Sequence, residues 1–190
     1  MKLKLGSAAI LAVALIALLM LTDAERNPES SPEIVENLPG FTLIGISVRT
    51  NNAKEQTADG LIGKQWQRFY QEGILSKIPN KADNNTVAAY TGYASDKDGD
   101  YTLVIGAKVT SDKEVPSGMV AVKVPSGRYA RFTSEKGPVA RIGADLWRRI
   151  WAIPKSQPGG DRAYKTDFEV YDQRAEDPQN AQMDIYIGIK

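Results

Sequence analysis

Residues 167–172 (DFEVYD) and 183–190 (MDIYIGIK) alternate polar and apolar side chains over most of their length. This period of two is typical of strands that bury one face, and turn residues around Pro178 separate the two runs. The first run places Glu169 between aromatic residues. An unpaired carboxylate is poor core material because its burial is costly, so Glu169 suits a pocket that receives a flat organic cation.

Working outward from these runs, the same patterns predict further strands and two amphipathic helices. The strands are expected at 41–50, 86–94, 101–110, 118–124 and 128–133, with the closing pair at 164–173 and 181–190. The helices are expected at 59–74 and 137–152. The order is strand, helix and hairpin, and it occurs twice. We therefore predict an α+β fold in which pseudo-twofold duplicated strand–helix–hairpin units share one antiparallel sheet, with both helices packed on one side.

The N-terminal segment has a different composition from the rest of the chain. Two lysines precede an uninterrupted apolar run from Ala8 to Leu21, which predicts either a cleaved signal peptide or a membrane anchor over residues 1–24. Both alternatives predict an exported protein, periplasmic or extracellular, that meets the membrane only through this segment. Residues 25–39 are rich in Pro, Glu, Ser and Asn and predict a flexible linker, which leaves 40–190 as the folded domain.

Composition narrows the range of functions. The chain has no histidine and no cysteine, and it carries 24 Lys and Arg against 23 Asp and Glu. This balance gives no electrostatic case for nucleic acid, and the missing residue types predict no metal, no haem and no other cofactor. Gly-x-Ser-x-Gly and phosphate-loop motifs are absent, and the acidic run 96–100 is interpreted as a hairpin turn rather than a calcium loop.

Strand alternation places Asp167, Glu169 and Tyr171 on one face of their strand and Phe168 on the other. Two interpretations of that first face stay open on composition alone. Glu169 either pairs with a Lys or Arg in solvent, or it lines a pocket. Aromatic residues at helical spacing are usually core, but the two tryptophans at 147 and 151 lie one turn apart beside a separate aliphatic stripe and can line a cleft.

The two C-terminal runs resemble the signature of the GyrI-like effector-binding domains, which sense ligands in AraC- and MerR-type regulators and also occur alone. The resemblance extends upstream to 101–107, to the turn at 125–130 and to a helix opened by Gly137-Pro138, and it covers roughly residues 40 to 190. Stand-alone integron-associated effector-binding proteins are the most similar members. Two differences stand out: Gly188 lies where many members have proline, and no helix-turn-helix is found, so we expect no contact with DNA.

The resemblance implies a hydrophobic cleft between the two helices over the sheet. It also implies that Glu169 meets cationic, lipophilic compounds among aromatic walls. The wall residues carried over from the family are Trp66, Tyr90, Tyr93, Trp147, Trp151, Tyr164 and Tyr171. The predicted function is therefore an exported or membrane-tethered protein that binds cationic or amphipathic small molecules.

Two alternatives stay open. Some GyrI-like relatives are hydrolases of reactive cytotoxic compounds, and Glu169 with Tyr93 or Tyr171 could serve as acid and base without histidine. Whether the protein is an enzyme is therefore undecided, although simple binding needs the same residues. The other alternative is a protein-interaction module at the membrane, whose cleft receives a side chain of an unknown partner.

Overall fold

The computed structural model describes residues 31–153 and 160–190, and the predicted signal or anchor at 1–24 lies outside them. Eight strands are present: β1 Glu33–Leu38, β2 Phe41–Thr50, β3 Thr86–Thr91, β4 Tyr101–Val109, β5 Val120–Val124, β6 Gly127–Thr133, β7 Thr166–Tyr171 and β8 Asp184–Gly188. The helices are α1 Asn52–Glu55, α2 Ile62–Gln71, α3 Ile74–Lys77 and α4 Val139–Ala152. In the described part of the chain, no helix has the length and apolar character needed to cross a membrane.

All eight strands form a single antiparallel sheet in the order β1-β6-β8-β7-β3-β4-β2-β5. The units β2-α2-β3-β4 and β6-α4-β7-β8 have the same layout, and their strands occur in mirrored order on the two sides of the β3–β7 pair. Both long helices pack on the same side of the sheet. The predicted α+β fold with duplicated units is confirmed.

The predicted linker at 25–39 is wrong over its last part, because Glu33–Leu38 is strand β1 at the edge of the sheet. This strand pairs with β6, and its two outward glutamates form ion pairs with Arg128 and Arg131 on that neighbour. An edge strand with a solvated face carries few apolar residues, so its composition resembles that of a linker. Its two central apolar residues are half-buried.

The helices are shorter than predicted, for local backbone reasons. The helix expected at 59–74 runs only from Ile62 to Gln71, because Gly73 adopts a left-handed conformation with φ 58° and starts the separate turn α3. Its N-terminus is capped by the Glu55 carboxylate, which accepts hydrogen bonds from the amides of Leu61 and Ile62. Helix α4 begins at Val139, directly after a proline.

The sheet curls strongly, as two short connections require. Strands β1 and β6 lie at one edge of the sheet, and β2 and β5 lie at the other. Residues 39–40 alone join β1 to β2, and residues 125–126 alone join β5 to β6. Three peptide steps span at most about 11 Å, so the two ends of the sheet must lie close together. Gly45 and Gly106 oppose each other where β2 and β4 lie too close for a side chain, since a Cβ on Gly106 would lie 1.8 Å from the carbonyl oxygen of Ile44.

Each face of the sheet has its own apolar core. The smaller cluster lies on the face away from the helices and includes Phe168, which stacks on Tyr186 at 4.6 Å between ring centres. The larger cluster lies under α2 and α4 and includes Phe69 and Leu146. The same helix-covered face carries Glu169, so the sheet is the floor of the site described next.

Candidate functional site

A cavity of about 920 Å³ lies between α2, α4 and the helix-covered face of the sheet. Most of its lining is apolar or aromatic, with a small set of charged side chains. The charged side chains at its wall are Glu55, Lys97, Arg148, Arg162 and Glu169. A largely apolar hollow of this size with a few polar groups is typical of a small-molecule site.

Glu169 lies on β7 at the floor of this cavity, opposite Ala88 on β3 and Ile185 on β8. Only 3% of the residue is exposed to solvent. The small side chain of Ala88 and the apolar side chain of Ile185 provide no hydrogen bond across the strands, so the carboxylate depends on donors from elsewhere in the fold. The interpretation of Glu169 as a solvated, ion-paired residue is wrong, because no lysine or arginine of the described residues pairs with it.

Three aromatic side chains supply these donors. The hydroxyl of Tyr90 and the indole N–H of Trp147 donate to Oε1 of Glu169, at 2.7 and 2.6 Å, and the hydroxyl of Tyr171 donates to Oε2 at 2.8 Å. A carboxylate has about four acceptor positions, so one position stays without a protein donor among the described residues. The carboxylate is thus held in place by neutral groups, and its negative charge is not compensated by a described cationic side chain.

Burial raises the pKa of Glu169 above its ordinary value, while the hydrogen bonds from Trp147, Tyr90 and Tyr171 partly oppose this rise. The pKa of Tyr90 and of Tyr171 lies well above the usual tyrosine range, mainly because of burial and then because of the nearby carboxylate. Both phenols therefore keep their protons and act as donors. A cation that enters beside Glu169 favours the ionised carboxylate and pulls its pKa down.

The walls are aromatic on both sides. Trp66 on α2 stacks on Tyr70 at 5.8 Å between ring centres and meets Tyr171 edge-on at 5.2 Å. On α4, Trp147 lies 5.9 Å from Trp151. Trp151 is 40% exposed and Tyr70 is 64% exposed, which places these two rings where the cavity meets solvent. Large apolar side chains left in contact with water in this way are common at binding sites.

Small residues on the helices leave the room that these rings enclose. Ala140, Gly143 and Ala144 line the cavity on the turns of α4 that precede Trp147. A Cβ on Gly143 would lie 3.3 Å from the hydroxyl oxygen of Tyr171. A larger side chain at this position would therefore press on a group that orients Glu169.

A second carboxylate lies two residues earlier on the same face of β7. Asp167 is fully buried and accepts hydrogen bonds from the hydroxyl of Tyr93 at 2.8 Å, from the amide of Gly188 at 2.9 Å, and from the guanidinium of Arg162 in an ion pair. Unlike Glu169, Asp167 is therefore neutralised by the chain itself. The guanidinium lies 4.5 Å from the ring centre of Tyr164.

Seven of the eight predicted site residues line the cavity, and they do so from both halves of the fold. They are Glu169, Trp66, Tyr90, Tyr93, Trp147, Trp151 and Tyr171. Tyr164 is the exception. Its ring lies outside the lining because it packs against Tyr93, at 5.8 Å between ring centres, and over the guanidinium of Arg162, which itself borders the cavity. Of the two tyrosines considered as acid–base partners of Glu169, Tyr171 contacts it, whereas the hydroxyl of Tyr93 bonds to Asp167.

Sequence reasoning missed several lining residues. Arg162 belongs to a stretch without periodic pattern, and Glu55 and Lys97 lie outside the long helices and the sheet, in segments that the chain brings to the cavity from a distance. The small residues at 140, 143 and 144 do leave a signal, because they share the helix face of the two tryptophans. That stripe could have identified the cavity side of α4.

Comparisons with known proteins agree with this architecture. YobU of Bacillus subtilis, whose name describes a putative transcriptional regulator protein, is 33% identical over 147 residues, which cover 77% of this chain and 90% of YobU. An integron cassette protein from the mobile metagenome of Vibrio cholerae has a crystal structure that matches with a TM-score of 0.67 and 29% identity, over 85% of this chain and 97% of that one.

A third protein, SAV2435, has a structure solved with bound tetraphenylphosphonium. It matches with a TM-score of 0.68 over 84% of this chain and 93% of its own. Its 18% identity makes this a likeness of fold alone. The sequence profile of one family matches residues 33–189, from the first residue of β1 to one residue beyond β8. The chain therefore belongs to the family described as Cass2, integron-associated effector binding protein.

Proposed function

We propose that this effector-binding protein takes up amphipathic organic cations, with Glu169 as the counter-ion at the floor of the cavity. The observation that carries the proposal is the state of this carboxylate. It is buried, it is held by three neutral aromatic donors, and no cationic side chain of the described residues compensates its charge.

Desolvation of Glu169 favours a cationic ligand over a neutral one. An uncompensated buried carboxylate is costly, and its cost falls when a positive charge comes close. An uncharged ligand of the same shape would bury Glu169 further without supplying that charge. The surrounding rings add attraction for the cation, worth about 2 kcal/mol or more where water is excluded, in addition to the burial of apolar surface.

The relatives support the proposal in two ways. The family is one of effector-binding proteins, and SAV2435, which has this fold, was solved with a lipophilic phosphonium cation. Four aryl groups around one positive centre match the chemistry of an aromatic-walled cavity with an ion-unpaired carboxylate in its floor. YobU is named as a putative transcriptional regulator protein.

For this chain we place the binding event outside the cytoplasm. The apolar run at 8–21 behind two lysines supports export, with residues 1–24 either cleaved or kept as an anchor. Fractionation of a bacterial host that expresses the whole chain is expected to recover it outside the cytoplasm, and deletion of residues 2–24 is expected to retain it inside. Intact mass then separates cleavage from anchoring. Equal recovery of both forms in the cytoplasm would contradict export.

Calorimetric titration tests the binding site. Tetraphenylphosphonium serves as the cation and triphenylphosphine oxide as a neutral aryl ligand. Glu169→Gln keeps the size of the side chain and removes its charge, and we expect it to weaken phosphonium binding at least tenfold while neutral binding changes less than threefold. Glu72→Gln makes the same change at an exposed ion pair just after α2, away from the cavity, and is expected to behave like the unaltered protein. Equal losses for both ligands in Glu169→Gln would refute the counter-ion role.

A further inference from the structure

A second cation-binding arrangement borders the cavity beside Glu169, and the chain fills it with the side chain of Arg162. Asp167 precedes Glu169 by two residues on the same strand face, so the two Cα atoms lie roughly 6.6 Å apart. The Asp167 carboxylate is fully buried and holds the guanidinium of Arg162 in an ion pair. Tyr93 and the amide of Gly188 complete its hydrogen bonds.

The guanidinium of Arg162 is bound much as a ligand cation would be. Its central carbon lies 4.5 Å from the ring centre of Tyr164 and 5.9 Å from that of Trp147. Both distances fall within the range of cation–π attraction. Its Nε atom is buried and has no hydrogen-bond partner among the described residues, and the side chain borders the cavity. The guanidinium is therefore held mainly by its ion pair and by the aromatic ring faces, because its hydrogen bonds are incomplete.

The backbone maintains this arrangement at a cost. Tyr164 has φ 49°, a left-handed conformation that is uncommon for a residue with a side chain. The neighbouring amide of Ala163 donates to the carbonyl of Gly188 at 2.7 Å, and the amide of Lys190 donates to the carbonyl of Asp161 at 2.9 Å, so the stretch is tied to the end of the chain. These bonds keep the ring of Tyr164 against the guanidinium.

Trp147 joins the two arrangements, since its indole N–H binds Glu169 and its ring lies near Arg162. We propose that Arg162 occupies a second cation cage, formed by Asp167, Tyr164 and Trp147, and thereby restricts the cavity to ligands with one positive centre. This inference rests on the proposed function. A ligand whose second charge extends from Glu169 toward Asp167 finds that carboxylate already paired with Arg162, so the second charge would lose its water without gaining an unpaired anion.

Two ligands of similar shape test the restriction. N-methyl-4-phenylpyridinium carries one positive charge on two linked rings, and paraquat carries two, separated by about the same span of roughly 7 Å as two strand residues. We expect the unaltered protein to bind the monocation at least tenfold more tightly than paraquat. In Arg162→Ala, the affinity ratio of monocation to paraquat is expected to fall at least tenfold, because the Asp167 cage becomes free for the second charge.

Three further variants make this result specific. Arg141→Ala removes the same charge from the exposed surface of α4, outside the cavity lining, and should leave the ratio within threefold. Arg162→Lys keeps a cation in the cage and should retain the preference for the monocation. Arg162→Ala combined with Asp167→Asn lacks both charges and should show no gain for paraquat. An unchanged ratio in Arg162→Ala would overturn the inference and leave the role of Glu169 intact.

A second measurement does not depend on any drug-like ligand. Ethylguanidinium corresponds to the outer atoms that Arg162→Ala removes. At equal ionic strength with NaCl as reference, it should raise the Tm of Arg162→Ala by several degrees and leave that of the unaltered protein unchanged. No rescue would show that the cage cannot hold a free cation and would overturn the inference. If neither pyridinium ligand bound any variant, the proposed function would fail. The rise in Tm of Arg162→Ala with ethylguanidinium would then be the remaining test of the cage.

Discussion

Trp147 on α4 donates its indole N–H to Oε1 of Glu169 on β7, at 2.6 Å. This bond connects a wall of the cavity to the charged group in its floor. The position of α4 therefore affects the hydrogen bonding of the carboxylate, and a ligand that displaces the indole also changes the charge state that Glu169 prefers. Stability, pH dependence and affinity should all respond to changes at this contact and in the surrounding rings.

Replacement of Trp147 by Phe keeps an aromatic ring but removes the N–H donor. Because a hydrogen bond to a charged group contributes about 1.5–3 kcal/mol, we expect the free energy of unfolding at pH 8 to fall by about 2 kcal/mol. We also expect the pKa of Glu169 to rise further. Urea denaturation measures the first effect, and Trp151→Phe on the same helix is the control, with a change below about 0.5 kcal/mol expected for that exposed side chain.

The binding of a permanent cation is expected to depend on pH through Glu169. The pKa of this residue is raised in the free protein, mainly by burial, and only the ionised form attracts the ligand. The affinity for tetraphenylphosphonium should therefore increase as pH rises from the ordinary glutamate range through the raised pKa, and then level off. Binding within that window should release protons, which titrations in buffers of different ionisation enthalpy detect. Glu169→Gln should abolish both effects.

The stability of the ligand-free protein should change with pH in the opposite sense. A carboxyl whose pKa is higher in the folded state binds its proton more tightly there than in the unfolded chain. The contribution of Glu169 is therefore favourable at low pH and is lost as pH rises from the ordinary glutamate range through the raised pKa. Thermal unfolding of Glu169→Gln should lack this component. A parallel pH profile in both proteins would contradict the assigned shift.

Trp151 offers a way to separate affinity from stability. Its side chain is 40% exposed and borders the cavity next to Trp147, so Trp151→Ala should cost the folded protein less than about 1 kcal/mol. The affinity for an aryl cation should nevertheless fall about five- to twentyfold, because a ring face is lost from the wall. A loss of affinity smaller than about twofold would exclude Trp151 from the site.

The curvature of the sheet can be tested at two glycines. Gly106→Ala places a Cβ against the carbonyl of Ile44, and backbone cannot yield easily, so we expect a loss of about 3 kcal/mol in urea denaturation. A Cβ at Gly63 on α2 would meet no described atom within 4 Å, so Gly63→Ala should instead stabilise the helix by about 0.5–1 kcal/mol. Similar changes in both variants would contradict the close approach of β2 and β4.

Much of the fold was predictable from local pattern. The strand predicted at 41–50 has those bounds, and the period of two correctly placed Glu169 and Tyr171 on one face. Strand β1 was predicted as part of a linker, because its two exposed glutamates form ion pairs with Arg128 and Arg131 only in the folded sheet. Propensity describes a segment by itself, whereas an edge strand depends on the neighbour that it joins.

The part of the site that involves long-range contacts was not predictable. Asp167 pairs with Arg162 only because the segment before β7 lies beside the residues that follow β8. No local sequence pattern predicts this arrangement of the backbone. Tyr164 has a left-handed backbone conformation, which is unusual for a tyrosine, and its ring packs against Tyr93 outside the cavity lining. The sequence identified the aromatic residues as candidates. Only the folded structure shows which of them line the cavity and which, like Tyr164, pack outside it.

The two short links at 39–40 and 125–126 fasten opposite ends of the curled sheet at one corner. The sheet cannot flatten or widen without separating the strands that these two links join. The sheet beneath a bound ligand is therefore expected to be rigid. Adaptation to ligands of different bulk is therefore expected from the helical side, where the rings of Tyr70 and Trp151 are exposed to solvent. Such a division, with the proposed counter-ion Glu169 on the rigid sheet and exposed rings on the helices, suits recognition of a chemical class better than of a single compound.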